Sequence, residues 1–511
     1  MMRPMQHRIK VYGPPGTGKT KYCLDLLCEH LQAGDRVLFL SFTRAAKIEA
    51  ENRMRATFGE VPANSTVKTI HALCLRILNI GVGNIYERNK TQAQFYASLN
   101  SAYHGHSKRR DNISHALAYH NFLRNRGEGP RDDAHETPFI DRGCTDSCIE
   151  HFERWKQAEG YVDFTDLLVR VARGDGEIDH YDVVIIDEAQ DLTTLQWKVV
   201  ERLYAKSSMV YVVGDDDQAV YSFLGADVGA FLSWPCDAMS TLGYTYRLPA
   251  NVLDFSMRLA SQIDGRQAKI VTSADRQGTI IADINMVESM NYGTRSSELY
   301  LARNEYMLKR VTRMLRHEGV PYRSASSPYT SSWGYEAKAF QAIAALHVWR
   351  TVPLTTKDWK KIKSVLRPSF VEVIEAEHEA ANEERPEGIP TLTSIFRSTD
   401  EFETEGWWES FLPLLSAQTA AMFSLTLRRY TLAECMQPKL ELSTIHGAKG
   451  KEADRVYVCS ALSDRLHRGI ELRYDEHRLF YVAVTRTKDE LILINDEEAG
   501  TKRYNFPSTE V

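Results

Sequence analysis

Gly13-Pro14-Pro15-Gly16-Thr17-Gly18-Lys19-Thr20 stands near the start of this 511-residue chain and fits the pattern G-x-x-x-x-G-K-[ST]. Arg8-Ile9-Lys10-Val11-Tyr12 before it reads as a short strand. Residues 21–33 after it read as a helix. A glycine-rich turn between strand and helix lets backbone N–H groups close around phosphates. Lys19 would reach the β- and γ-phosphates and Thr20 would hold Mg²⁺, so Gly13 to Thr20 are the predicted nucleotide-binding residues.

Working outward, further strand-like runs occur at 37–41, 183–187, 209–214, 299–302, 440–444, 456–459 and 491–495. Helical stretches separate most of them, which predicts parallel α/β layers. Two regions break that rhythm. Residues 86–155 are polar and helical in pattern. Residues 331–440 are also mostly helical and hold Trp333, Trp349, Trp359, Trp407 and Trp408. Both read as insertions. The expected layout is a first α/β domain at 1–85 and 156–245 around the insertion 86–155. A second spans 246–330 and 441–511 around the insertion 331–440.

Hydrophobic content of 43% and charged content of 26% are those of a globular protein. A net charge of −5 gives no global attraction to nucleic acid, so any such binding must use local basic surface. Candidate tracts are Lys108-Arg109-Arg110, the stretch 357–363 and Arg428-Arg429. No apolar run reaches membrane-span length, and the first strand begins almost at once, so neither a membrane anchor nor a signal peptide is expected. Eight scattered cysteines fit reduced thiols in a cytoplasmic setting. Cys144, Cys148 and His151, with His135 upstream, have ligand-like spacing. That spacing is also one face of a helix and lacks a standard fourth ligand, so packing is the expected role.

The apolar strand 183–186 ends in Asp187-Glu188. An Asp there completes a Mg²⁺ shell, and the adjacent Glu can act as base for the attacking water. More than 160 residues separate Lys19 from Asp187, which implies an inserted domain between them. The strand 209–214 leads into Asp215-Asp216-Asp217-Gln218. Three consecutive Asp otherwise look like a solvated loop, but a Gln at that tip can sense a γ-phosphate. Arg247 and Arg486 gain interest because phosphoryl transfer needs positive charge where the transition state develops it.

The ordered set GPPGTGKT, SFTRAA (41–46), TIHAL (69–73), DEAQD (187–191), GDDDQAVY (214–221), YTYR (244–247), STIHGAKGKE (443–452) and YVAVTR (481–486) resembles the UvrD/Rep/PcrA-type superfamily 1 DNA helicases. The resemblance implies two RecA-like P-loop NTPase domains with ATP and Mg²⁺ between them. It implies MgATP binding by Lys19, Thr20 and Asp187, a base at Glu188, a γ-phosphate sensor at Gln218 and arginine fingers at Arg247 and Arg486. Tyr246 would stack on adenine and Glu452 would contact ribose. Thr43, His71, Tyr221, Phe223, Thr444, His446 and Lys449 would touch single-stranded DNA or couple that contact to hydrolysis. Aromatic side chains suit that task because every base has a π-face. Core packing is the other reading of Phe223.

Three departures stand out. The family's Gln motif upstream of the P-loop is absent, Phe223 replaces a Trp, and Leu224 replaces an Arg. The chain stops soon after Arg486, so no nuclease domain is expected, and such a size suits a phage or minimal bacterial enzyme. The implied activity is 3′ to 5′ translocation on single-stranded DNA with unwinding at duplex junctions, in replication, repair or recombination, alongside proteins of those processes. The alternative is a single-strand translocase that displaces bound proteins and unwinds little. A scaffold with a decayed motor is a third reading, opposed by the intact Lys19, Asp187, Glu188, Gln218, Arg247 and Arg486.

Overall fold

Strand β1, His7–Tyr12, enters a six-stranded sheet with β2 (Val37–Leu40), β3 (Ser65–Lys68), β4 (Tyr181–Ile186), β5 (Ser207–Gly214) and β6 (Ala238–Thr241). The order is β3-β2-β4-β5-β1-β6 and every pairing is parallel. This computed structural model describes residues 6–41, 44–86, 88–98, 107–127, 142–285, 292–324, 342–343, 345–350, 352, 354–355, 359–360, 362–382, 391–392, 408, 411–412, 417–462, 471–495 and 502–508.

Both faces of the sheet are covered, which explains the continuous apolar runs of its inner strands. Period-2 alternation divides each strand between two cores. Val37, Phe39, Val183, Ile185, Tyr211 and Val213 pack with the helix Lys19–Gln32 through Cys23, Leu24 and Leu27. Leu38, Leu40, Val184, Ile186, Val210 and Val212 pack on the other side with the helices Ile70–Ile77, Phe164–Arg173 and Thr194–Tyr204.

The first inserted region carries its own aromatic cluster of Phe95, Phe152 and Trp155, with Tyr86 and Tyr161 against it. Its link to the sheet layer is ionic. Asp163 and Asp166 form the capping box of the helix Phe164–Arg173. Buried Lys156 reaches Asp163 at 2.6 Å and Asp166 at 2.8 Å, and Arg124 reaches Asp163 at 2.9 Å and also pairs with Asp166.

A second six-stranded sheet comprises β7 (Thr279–Ile284), β8 (Glu298–Ala302), β9 (Tyr322–Ser324), β10 (Leu440–Thr444), β11 (Ala453–Cys459) and β12 (Thr487–Ile494). Its order is β9-β10-β8-β11-β12-β7, again parallel throughout. Described parts of the second inserted region, including Trp349, Trp359 and Trp408, share one core with Tyr300, Leu442 and Tyr457 of this sheet.

The chain divides into two units. One is Met1–Leu253, Met257–Asp275 and Tyr474–Tyr481. The other is Asp254–Ser256, Arg276–Arg473 and Val482–Val511. Residues 246–253 and 257–275, which the sequence reading puts in the second domain, thus pack with the first sheet. The reason is local. Tyr244–Thr245 pairs with Thr272–Ser273, and the segment between them folds back on the ends of β1 and β5.

Candidate nucleotide and DNA site

The loop Gly13–Gly18 sits at the carboxyl end of β1, where parallel sheets bind ligands. Gly16 and Gly18 have φ of +74° and +80°, values that suit glycine. A Cβ on Gly16 would lie 2.5 Å from both Arg247 Cβ and Thr245 Oγ1, and a Cβ on Gly13 would collide with the Lys19 side chain. The glycines therefore form a cradle with no room for side chains. Lys19 is buried and donates from Nζ to the Gly13 carbonyl at 2.6 Å, so its charge is already aimed into the loop.

Thr20 Oγ1 donates to Asp187 Oδ2 at 3.2 Å, joining the start of the helix Lys19–Gln32 to the tip of β4. Burial, and next the adjacent Glu188, push the Asp187 carboxyl up to about 7, although Lys19 pulls the other way. That is an under-neutralised carboxylate, with a hydroxyl beside it. The pair fits the hard-oxygen chemistry of Mg²⁺. Glu188 has φ +54°, rare for a residue with a side chain, which turns it sharply off the strand. Gln190 Nε2 donates to Glu188 Oε2 at 2.5 Å, and Gln190 Oε1 accepts from the Asp215 N–H at 2.9 Å. Gln190 thus connects the tips of β4 and β5.

Asp215, Asp216 and Asp217 are 0% exposed. They form no solvated loop. Gln218 Nε2 donates to Asp215 Oδ2 at 2.8 Å. The segment 244–247 clasps the P-loop: Thr245 Oγ1 donates to the Pro15 carbonyl at 2.8 Å and the Tyr246 N–H to the Gly16 carbonyl at 2.9 Å. Tyr246 is 78% exposed and meets Tyr244 edge-on at 4.9 Å. Arg247 packs over Gly16, within the same unit as Lys19, and not on the second sheet as the sequence reading has it.

A cavity of about 270 Å³ lies beside Asp187, lined among others by Thr69, His71, Asn125, Tyr221 and Leu224. His71 stacks edge-on to Phe164 at 5.4 Å, and burial lowers its pKa to about 4, so it is neutral near pH 7. Phe223 is 58% exposed and Leu224 52%, so core packing is not the role of Phe223. Thr43 lies outside the described residues.

The second unit holds the remaining predicted residues. Thr444 Oγ1 accepts from the Gly447 N–H at 3.1 Å, forming the turn that carries His446 and Lys449. Exposed Glu452 pairs with Lys488 at 2.7 Å. Arg486 is buried, donating from Nε to the Val482 carbonyl at 2.9 Å and from Nη2 to Thr485 Oγ1 at 3.2 Å.

Two of the expected basic tracts are in part engaged internally. Lys363 pairs with Glu375 at 3.0 Å, and Arg429 donates to the Glu318 carbonyl at 2.7 Å. The side chains of 108–110 lie outside the described residues, as do His135 and the Cys144 side chain. Cys148 packs in the aromatic cluster and His151 bonds to Ser98 Oγ at 3.1 Å. Among the described residues no helix is long and apolar enough to cross a membrane.

The sequence matches the UvrD/REP helicase N-terminal domain over residues 1–238 and the UvrD-like helicase C-terminal domain over residues 439–494. The chain belongs to the UvrD/Rep helicase family. Its two parallel sheets are accordingly RecA-like P-loop layers. Among UvrD/Rep relatives, the PcrA DNA helicase of Staphylococcus epidermidis is 25% identical over 300 residues, 54% of this chain and 41% of that protein. RecBCD subunit RecB of Mycobacterium tuberculosis is 34% identical over 110 residues, 19% of this chain and 10% of that protein. The chain thus matches less than half the length of these curated relatives. A solved helicase from PRRSV aligns with 98% of this chain and 55% of its own at a TM-score of 0.34 and 11% identity, too distant to carry any argument.

Proposed function

We propose that this chain is an ATP-dependent DNA helicase that moves 3′ to 5′ along single-stranded DNA and opens duplexes at junctions. The observation that carries the reading is the assembly of Lys19, Thr20, Asp187, Glu188 and Gln218 at the carboxyl ends of three neighbouring parallel strands. Membership of a family whose relatives include DNA helicases such as PcrA supports the same reading.

Lys19 leaves the Gly13 carbonyl to bind the β- and γ-phosphates, and the backbone of Gly13 to Thr20 cradles them. Tyr246 stacks on the base and Glu452 contacts ribose. Thr20 and Asp187 are the residues that hold Mg²⁺, which when bound neutralises phosphate charge. Glu188 accepts the proton of the attacking water, Gln218 orients the γ-phosphate end, and Arg247 and Arg486 balance the charge of the transition state. Positioning and charge supply most of the catalysis in such reactions. His71, Tyr221, Phe223, Thr444, His446 and Lys449 touch single-stranded DNA or couple that contact to hydrolysis. Thr43 is assigned to that role on the motif alone. The setting is the cytoplasm of a bacterial cell or a phage-infected host, with replication or recombination proteins as partners.

The test is ATP hydrolysis with and without single-stranded DNA, followed by unwinding of 3′-tailed and 5′-tailed duplexes. Strong stimulation with opening of the 3′-tailed substrate alone supports the reading. Stimulation without unwinding makes the chain a protein-displacing translocase. Absence of stimulation refutes a DNA motor.

A further inference from the structure

The three buried carboxylates after β5 are paired from a segment to which no motif draws attention. Lys269 Nζ lies 2.6 Å from Asp215 Oδ1, 2.5 Å from Asp216 Oδ1 and 2.8 Å from Asp217 Oδ2. Arg266 adds a two-pronged contact to Asp217, with Nε at 2.8 Å and Nη2 at 2.5 Å. The Gln267 N–H donates to Asp216 Oδ2 at 2.8 Å. Arg478 Nε holds the Asp216 carbonyl at 3.0 Å. These residues lie in the same unit as the P-loop. Three charges without exposure persist only if paired and hydrogen-bonded, and among the described residues Lys269 is the cation that touches all three.

Asp215 is the branch point. One oxygen takes Lys269; the other takes the Gln218 side-chain amide. An ionised carboxylate only accepts, so Nε2 of Gln218 must face it and Oε1 must turn away from it. The Asp215 backbone N–H donates to Gln190 Oε1, and the same Gln190 side chain donates from Nε2 to Glu188.

We infer that Lys269 is a positioning residue for ATP hydrolysis, acting through Asp215 to fix the side-chain amide of Gln218. The inference rests on the motor reading above. It predicts an effect on turnover and not on nucleotide affinity, because Lys269 touches the sensor's anchor and not the phosphate cradle.

The experiment compares wild type, Lys269→Met, Gln218→Ala and the double variant at saturating single-stranded DNA. It measures kcat for ATP, and affinity with a fluorescent ATP analogue. Lys269→Met should lower kcat by roughly 10- to 100-fold with affinity within about threefold of wild type. Adding Gln218→Ala should then cost little more, since residues acting as one unit are not additive. Because Lys269→Met leaves buried anions unpaired, the same series is run in Lys269→Met with Asp216→Asn, which removes one cation and one anion together. Unchanged kcat, or losses that multiply in the double variant, overturn the inference while leaving the motor reading intact. So does misfolding of both backgrounds, which makes the cluster purely structural. A wild-type chain without ATPase activity overturns both.

Discussion

Two acidic strand tips stand side by side in the first unit, and they are treated in opposite ways. After β4, Asp187 is buried beside the half-buried Glu188, and burial and then that neighbouring carboxylate push the Asp187 carboxyl up to about 7 although Lys19 pulls it down. After β5, three carboxylates are contacted by Lys269 and Arg266, and Asp215 is held below its ordinary value: burial raises it, but Lys269, Lys19 and the hydrogen bonds from Lys269 and Gln218 together pull it down. The denser run of acid is therefore the less available one. The number of Asp in a stretch thus says little about how its charges are matched.

The largest break in this comparison should come from Glu188→Gln, which removes the proposed base while leaving both tips folded. DNA-stimulated phosphate release should fall by about 10³-fold with ATP binding retained, checked by a release assay and a binding titration.

Asp217→Asn should destabilise the fold by about 2–4 kcal/mol in urea unfolding, because Arg266 loses its two-pronged partner in a buried place.

Asp187→Asn should do the reverse when measured in EDTA without nucleotide. A folded pKa raised from 3.8 to about 7 means that the folded state binds the extra proton. Stability from this group is thus present below pH 4 and lost as pH rises through 7. The variant should match wild type near pH 4 and exceed it by on the order of 1–3 kcal/mol near pH 7.5, while hydrolysis is lost. Equal stabilities at both pH values would mean that Asp187 is compensated after all.

The smallest effect is expected of Leu224→Arg. Leu224 is half exposed on the cavity wall beside Tyr221, so an added cation has room. Affinity for single-stranded DNA should rise a few-fold, with the salt slope steeper by about one. No change in slope would place residue 224 off the DNA path.

Much of the first tip was legible in the sequence. The P-loop, the strand before it and the DEAQD turn are local, and each needs a residue type or backbone state that few alternatives satisfy. Strand β12 was equally plain from the apolar run 491–494, and β10 from the alternation of Leu440 and Leu442 with Glu441 and Ser443. Strands β3 (Ser-Thr-Val-Lys) and β6 (Ala-Met-Ser-Thr) were missed because they lie at sheet edges, where little is buried and no apolar run is required. The burial of Asp215 to Asp217 was hidden because its cause sits some fifty residues downstream, in Gly265-Arg266-Gln267-Ala268-Lys269, which has no pattern of its own. Gln190 was in view within DEAQD, but its role as a bridge depends on β4 and β5 being neighbours, which spacing alone does not tell. Arg247 was placed a domain too late because the clasp of Thr245 and Tyr246 on the P-loop is made by backbone and hydroxyl groups that carry no signature.

The junction between the first inserted region and the sheet layer sets a rule for anyone who would cut or exchange that region. Arg124 lies in the insert and Lys156 one residue past its expected end, on the helix Arg142–Glu159 that crosses the seam, yet the acids they pair with cap a helix of the body. A graft that ends at residue 155 would carry away Arg124 and leave Lys156 and the acids half matched at the seam. The transferable module therefore extends through Asp166, and a swap among relatives should keep that stretch from the same parent as the insert.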